Sequence, residues 1–561
     1  MERSGFQFWI MASGLALLGA GAWYLGAYRI YQVDEAQNLF MIRILGTHQT
    51  AAYFSNALLW MLGPFAWGAA SATTSAGLFF GARMVFLGVF LLNVVLLALN
   101  TGARLRSVRG MVALLGAATL APLWDYGFEV RHDNLILTGL LLMWWLGRAR
   151  PRGRWSYAVI GFLGVTLLFI AFKSFVFVLP LCLALIAFPP PGHHESRLRL
   201  MGFWLLGAGA GAILVLVSYG VSGLWTVYLA GFKSGLQSSG GGARFGPNLA
   251  LGRLLDQTPL LLGLSVAALM ALILRLKPEG RRLLNWEGLV PEAVLCLGAL
   301  GIVLINPTPF PYNLVNFVPF LYLLAFRFMA TWAGEVEWTA PLPTLLACVL
   351  VFTHLVPFLR ATWRHTDWLN DRQETLMQTA EALTDPGKDR VYDAIGMVPT
   401  RPTIGFHWYL HSLNIQTFSS GQIASVPQML EARPAAVLIR SYRTDWLPEA
   451  DQQFILSRYI PLADDLWVLG KVLPPGGGNY AAVHPGRYQV LSLEQGRLAR
   501  VPLAELDGKT FDGNAAFLAV GTHLIASPPK VQPVVVWVGP RLNQPPKIGR
   551  GDHLRLFVNW Y

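Results

Sequence analysis

Charge is what this sequence has least of. Only 13% of its 561 residues are Asp, Glu, Lys or Arg, against 54% apolar, and a soluble chain carries about 25% charged residues. Cysteine is scarcer still. Cys182, Cys296 and Cys348 are the three present, and all fall inside apolar runs, where they read as small fillers and not as a disulfide framework. A single basic face is missing too. The net charge of +12 is spread over short Lys/Arg clusters between apolar blocks, which argues against nucleic acid and for membrane topology. No strand precedes "GAGAGA" (Gly207 to Ala212), so it reads as close helix packing, not as a dinucleotide loop. The adjacent histidines of "HHE" (His193 to Glu195) do not share a helical face and make no metal site.

What is present is a series of apolar blocks, most of them close to the length that crosses a bilayer. The sequence predicts about eleven spans, near 6–28, 78–100, 110–125, 133–147, 156–172, 174–189, 200–220, 255–275, 289–305, 313–329 and 339–359. Alternate connections are basic: "ARLRSVR", "RARPRGR", "SRLR" and "RLKPEGRR". The positive-inside rule puts these in the cytoplasm. The loop 29–77, "DYGFEVRHD", the turn at Lys173, the loop 221–254 and "NPTPFPY" then face outward, as does everything after about 360. The first block is longer than a signal-peptide core, and it reads as an uncleaved anchor.

Three units follow from the composition: a transmembrane part over 1–360, an α/β unit over 361–473 and a β-rich unit over 474–561. In the second, Leu369 to Leu383 suits an amphipathic helix, "RVYDAIGMV" and "AAVLIRSY" suit buried strands, and "ADQQFILSRY" a helix between strands. After "LPPGGGN" the short strands "GRYQVLSL", "AAFLAVGTHLIA", "QPVVVWVG" and "HLRLFVNWY" suggest a small sandwich that binds sugar or braces the membrane part.

The outward loops gather ionisable groups. "YQVDEAQN" supplies Asp34 and Glu35, the next outward loop supplies Asp125, Glu129, Arg131, His132 and Asp133, and Lys173, Tyr312, Asn313 and Arg83 lie at or near the same level. Two carboxylates at a helix start have two readings. They cap the helix, or they do acid–base work. Ionisable groups at membrane depth usually face a protein cavity and mark function. Carboxylates beside Arg and Lys at a lipid–water boundary suit one chemistry: a carboxylate takes a proton from an attacking hydroxyl while the cations hold a departing phosphate.

The order of these features resembles the GT-C fold glycosyltransferases that use polyprenyl-phosphate sugars, especially bacterial members related to protein O-mannosyltransferases and lipid A aminoarabinose transferases. "VDEAQN" looks like their Asp-Glu motif in the first external loop, and "FFGARMVFLGVFLL" like their second span with an outer Arg. "FEVRHDNLILTGLLL" is similar to their Arg-x-Asp stretch, "FKSFVFVLP" to their Lys segment, and "NPTPFPYNLVNFVPFLYLL" to the segment where a Tyr precedes L-x-x-P-x-L. The likeness covers roughly 6–330. A Pro-Pro pair in the first loop and a Gly-Pro after Lys173 are absent.

The resemblance implies an inverting transferase of the bacterial inner membrane with its C-terminal part in the periplasm. Asp34 would be the general base and Glu35 would orient it. Arg83, Arg131, Lys173 and Tyr312 would bind the donor phosphate, and Asp133, His132 and Glu129 would orient the acceptor or the site. The donor would be an undecaprenyl-phosphate-type sugar and the acceptor a lipopolysaccharide, another glycan or a protein. No cofactor is required by that chemistry, and a divalent metal is left open. The alternative function is a transporter or lipid flippase with a glycan-binding outer domain, although no internal repeat of the transporter kind is visible.

Overall fold

The computed structural model describes residues 2–46, 72–149, 153–188, 195–221, 248–275, 289–305, 310–332, 348–405 and, with short interruptions, 421–546, together with a few single positions that include 409–410 and 556–557. The helices of the first part are α1 (Glu2–Tyr28), α2 (Val33–Gly46), α3 (Ser75–Asn100), α4 (Val108–Ala118), α5 (Ala121–Tyr126), α6 (His132–Trp144), α7 (Arg154–Ile170), α8 (Phe175–Ala187), α9 (Arg197–Val221), α10 (Asn248–Gln257), α11 (Pro259–Arg275), α12 (Val290–Ile305), α13 (Leu314–Trp332) and α14 (Val356–Trp363). Among the described residues, four stretches are long and apolar enough to cross a membrane: Trp9–Tyr28, Ser75–Asn100, Arg197–Val221 and Pro311–Ala330. A fifth is obtained if α10 and α11, bent by 95°, form one broken span. Large apolar side chains such as Leu17, Leu205, Ile213, Val266 and Ile273 stand exposed on these helices, as a surface facing hydrocarbon requires.

Among the described residues, the expected spans 110–125 and 255–275 are interrupted, and proline accounts for both. The block 110–125 divides into α4 and α5 at Thr119 and Leu120, with Pro122 in the first turn of the second piece. The block 255–275 divides at Thr258, where Pro259 opens α11. A proline lacks the N–H that would continue the preceding helix, and it favours a first turn. Of the last expected span, only part lies within the described residues. "GAGAGA" does pack helices closely. A Cβ on Gly207 would stand 1.7 Å from the Ala158 carbonyl oxygen, and one on Gly161 2.0 Å from that of Trp204, so α7 and α9 touch backbone to backbone.

The helices carry the ionisable groups to opposite ends of the bundle. α3 begins where the Ser75 amide donates to Glu381 and ends 26 residues later, a rise of roughly 39 Å. Its far end lies beside Arg327, which donates to the Asn100 carbonyl and pairs with Glu292 at 2.7 Å. α6 likewise runs from His132 toward Arg148, and α13 from Leu314 toward Arg327. One end therefore bears Arg148 and Arg327, and the other bears the acid–cation set.

The outer part adds α15 (Asp371–Ala382), α16 (Val426–Ala432) and α17 (Glu449–Arg458). Its strands are β1 (Arg390–Tyr392), β2 (Ala435–Ile439), β3 (Tyr459–Pro461), β4 (Leu466–Val472), β5 (Gly477–Ala482), β6 (Gly486–Glu494), β7 (Arg497–Arg500), β8 (Ala504–Leu506), β9 (Lys509–Phe511), β10 (Ala516–Leu518), β11 (Gly521–Ala526) and β12 (Pro533–Trp537). The helices expected near 369–383 and in "ADQQFILSRY" are present. "RVYDAIGMV" contributes only three residues of strand, because the Asp393 carboxylate accepts from the amides of Ile395, Gly396 and Met397 and turns the chain. "AAFLAVGTHLIA" forms two strands, β10 and β11, separated at Ala519 and Val520. Of "HLRLFVNWY", Leu556 and Phe557 alone are described.

The break expected at 473/474 does not divide the sheet. An eight-stranded sheet runs β1-β2-β4-β12-β6-β10, with β3 on β4 and β7 on β6, and β12 is antiparallel to β4 with Val534 opposite Val472. A four-stranded sheet, β5-β11-β8-β9, accompanies it, and Tyr480, Ile525, Val490 and Val534 belong to one buried cluster. The β-rich stretch thus extends the α/β sheet.

This body is seated on the segment that follows α1. The Ile30 amide donates to Trp368 O and the Asn370 amide to Tyr28 O, both at 2.9 Å. Gln373 brackets Tyr31, accepting its N–H at 2.6 Å and donating to its C=O at 2.9 Å. Tyr31, Val33, Ala36, Phe40 and Phe79 share the apolar core of the outer body. α2 is therefore held between the two parts.

Candidate functional site

Asp34 and Glu35 lie in the first turn of α2, and successive helical residues point about 100° apart. The two carboxylates consequently meet different surroundings. Glu35 is fully buried. Its Oε2 accepts the Gln32 amide at 2.9 Å, closing the helix start, and its Oε1 accepts the Val130 amide at 3.1 Å. Arg83 grips the same carboxylate from Nε at 2.9 Å and from Nη2 at 2.5 Å. The Arg83 guanidinium also donates to the carbonyls of Arg29 and Ile30 and lies 4.5 Å over the Tyr31 ring. Arg83 and Glu35 thus close on each other and are not brought to an open surface.

Asp34 turns the other way. Its Oδ2 lies 2.7 Å from Arg131 Nη1. Arg131, just before α6, is 3.6 Å from both Glu129 and Asp133. Asp133 Oδ1 is 2.7 Å from Lys173 Nζ, in the turn between α7 and α8, and His132 Nε2 is 3.6 Å from its other oxygen. The Tyr312 ring underlies both cations, 4.1 Å from the Arg131 guanidinium and 4.5 Å from Lys173, and Asn313 accepts from Lys173 at 3.4 Å. The result is a chain of alternating charge, Asp34–Arg131–Asp133–Lys173, drawn from three separate parts of the sequence. Its middle is sealed, for Asp133 and Glu129 have no exposed surface. Its ends are open: the side chains of Asp34, Lys173 and His132 are 29%, 28% and 24% exposed.

Burial raises the Asp34 carboxyl, but Arg131, Arg443, His132 and Lys173 outweigh it and hold the group below the usual carboxylate range. Asp34 is therefore ionised at rest. Arg131, although burial opposes its charge, is held protonated by Asp34, Asp133 and Glu129. His132 is pushed down to about 4, chiefly by burial, and is neutral near pH 7.

Glu129 stands behind this chain, 2.6 Å from Arg29, whose guanidinium also donates to the carbonyls of Trp124 and Asp125. Asp125 is turned away from the open side, bonded to His365 at 2.7 Å and to Gln257 at 2.5 Å. It ties the bundle to the stalk of the outer body.

The sequence reading missed Arg443, the one outer-body residue whose charge bears on Asp34 among the groups just named. It is buried amid Tyr409 at 4.6 Å, Trp446 at 5.6 Å and Tyr442 at 5.7 Å. A lone Arg after a strand carries no sequence signal of this kind. Among the described residues, no cluster of three His, Cys, Asp or Glu side chains is disposed to hold a metal.

Comparison of the chain with family models, with curated proteins and with solved structures returned no match.

Proposed function

We propose that the chain is an integral-membrane inverting glycosyltransferase. It moves a sugar from a polyprenyl-phosphate donor to an acceptor hydroxyl on the extracytoplasmic side of a bacterial inner membrane, within an eleven-span GT-C architecture. The observation that carries the reading is the convergence of Asp34, Arg131, Asp133, Lys173 and Tyr312 at the end of the bundle opposite Arg148 and Arg327. A phosphate on a lipid tail lies at that depth, and two cations fixed over one aromatic ring suit it.

The step needs one proton acceptor and one anion cradle. Asp34 takes the proton of the acceptor hydroxyl as that oxygen bonds to the anomeric carbon. The bond from that carbon to the phosphate oxygen breaks, and the polyprenyl phosphate leaves with the electron pair beside Arg131 and Lys173. One displacement inverts the anomeric centre. At rest Arg131 holds Asp34 weakly basic. An arriving phosphate competes for Arg131, so donor binding raises the basicity of Asp34 when it is needed. Glu35 and Arg83 serve as the latch that fixes the turn carrying Asp34, and not as groups that touch substrate.

Purified protein mixed with a radiolabelled polyprenyl-phosphate sugar and membrane extract is expected to pass label to a new acceptor, and Asp34→Asn protein is not. Counterflow of label into vesicles without transfer would instead identify a transporter.

A further inference from the structure

The outer body holds a second feature that the transfer chemistry does not use. A cavity of about 390 Å³ is lined by Arg440, Ser441, Tyr442, Asp445, Asp465 and Leu556, with Phe557 beside it. That volume lies at the small end of the range of about 300–1,000 Å³ typical of ligand sites. Four of the lining residues belong to the short segment that leaves β2 and also carries Arg443. The segment is rigid. Thr444 and Ser441 bond each other through side chain and backbone, Tyr442 meets Trp446 edge-on at 5.3 Å, and Arg440 lies 5.2 Å over Trp467.

We infer that this cavity is a carbohydrate subsite, which receives a sugar of the acceptor while the hydroxyl to be glycosylated lies at Asp34. The inference rests on the transferase reading for the word acceptor, but not for the binding itself. Three observations support a sugar. Tyr442, half-buried at the cavity wall, offers aromatic surface for the C–H face of a pyranose ring. Asp445 and Asp465 offer carboxylate oxygens, and Arg440 a planar set of donors, to vicinal hydroxyls. Both carboxylates are already paired, Asp445 with Arg440 at 2.7 Å and Asp465 with Arg372, so the lining is polar without excess charge and suits a neutral polyhydroxyl ligand better than a charged peptide.

The cavity also has a direct line to the reacting end. The Tyr442 hydroxyl accepts from Arg443 Nε at 3.2 Å, a second nitrogen of Arg443 donates to the Leu410 carbonyl, and the Arg443 charge bears on Asp34.

The test uses the full chain in nanodiscs on an array of defined di- to hexasaccharides, with a peptide array in parallel and no donor present. Wild-type protein is expected to capture a subset of the glycans. Tyr442→Ala and Asp445→Asn are expected to weaken that capture at least tenfold. Asp445 is exposed, so its conservative variant guards against loss through misfolding. Capture of peptides but not glycans, no glycan capture by wild type, or capture that both cavity variants retain would overturn the assignment. Glycan capture at this cavity without any sugar transfer would keep the subsite and remove the transferase reading, so the two fail separately.

Discussion

Glu35 and Asp34 are neighbours in sequence and opposites in structure. Glu35 and Arg83 form a sealed bidentate pair whose other partners are backbone groups of the first loop and the Val130 amide, while Asp34 ends an alternating chain of charge that opens at both ends. Burying an ion pair costs several kcal/mol per ion before attraction repays it, so a closed pair is best read as a fixed joint. A half-open one keeps charges that can exchange partners. The difference between the two carboxylates therefore lies in exposure and in how many donors are already committed, and not in position along the chain.

The sharpest way to break this contrast is to neutralise each acid in turn. Asp34→Asn is expected to lower transfer by about 10²–10⁴ with a smaller fall in thermal midpoint than Glu35→Gln, because Arg131 keeps Glu129 and Asp133 nearby. Glu35→Gln leaves Arg83 buried without its counter-charge and is expected to cost about 3–5 kcal/mol of stability, read as a fall in melting temperature and in folded yield. Equal effects on both quantities in both variants would erase the distinction.

Lys173→Met comes next. It removes one cation from the phosphate cradle and leaves Asp133 with Arg131 at 3.6 Å as its nearest positive partner. Donor affinity is expected to fall by more than tenfold. The double variant Lys173→Met/Asp133→Asn should recover the thermal midpoint but not the affinity, which separates charge balance from phosphate binding. Tyr312→Leu is milder. Loss of the ring under both cations is worth about 0.5–2 kcal/mol, or roughly two- to thirty-fold in donor affinity, and Tyr312→Phe should keep most of it.

The smallest effect is in pH dependence. The His132 imidazole takes a proton near 6.5 when unfolded but only at about 4 in the folded protein. Between those values the unfolded state binds more protons, so this residue lowers stability as pH falls from about 6.5 toward 4. His132→Gln should flatten that slope. Asp34 acts at lower pH, because its folded value is depressed. Its contribution is complete above the unfolded value of 3.8 and is lost as pH falls through the lower folded one. Arg131→Gln should move the acid limb of the transfer rate upward.

Much of the open site was legible because an ionisable residue stands out against apolar sequence. Asp34, Arg131, Asp133 and Lys173 each border an apolar block on the same predicted side, and the resemblance, not topology, implied that they meet. The fate of Glu35 was not legible, since it depends on helical phase and on Arg83, 48 positions away. The capping reading of the Asp-Glu pair holds for Glu35, whereas Asp34 pairs with Arg131. Arg443 was hidden because its aromatic surroundings come from Tyr409 as well as from its own segment. The continuous sheet was hidden for a similar reason: β4 and β12 pair across about sixty residues, and alternation shows that a strand exists but not which strand it joins. The breaks at Pro122 and Pro259 were visible as prolines, but hydropathy outweighed them in the span count.

The central claim is that Arg131 and Lys173 cradle a lipid-borne phosphate within reach of Asp34. Cryo-electron microscopy of the protein in nanodiscs with a polyprenyl phosphate tests it most directly. The account predicts phosphate density between those two side chains above the Tyr312 ring, with Arg131 drawn off Asp34. Density for the lipid phosphate elsewhere, with the Asp34–Arg131 contact intact, would contradict it.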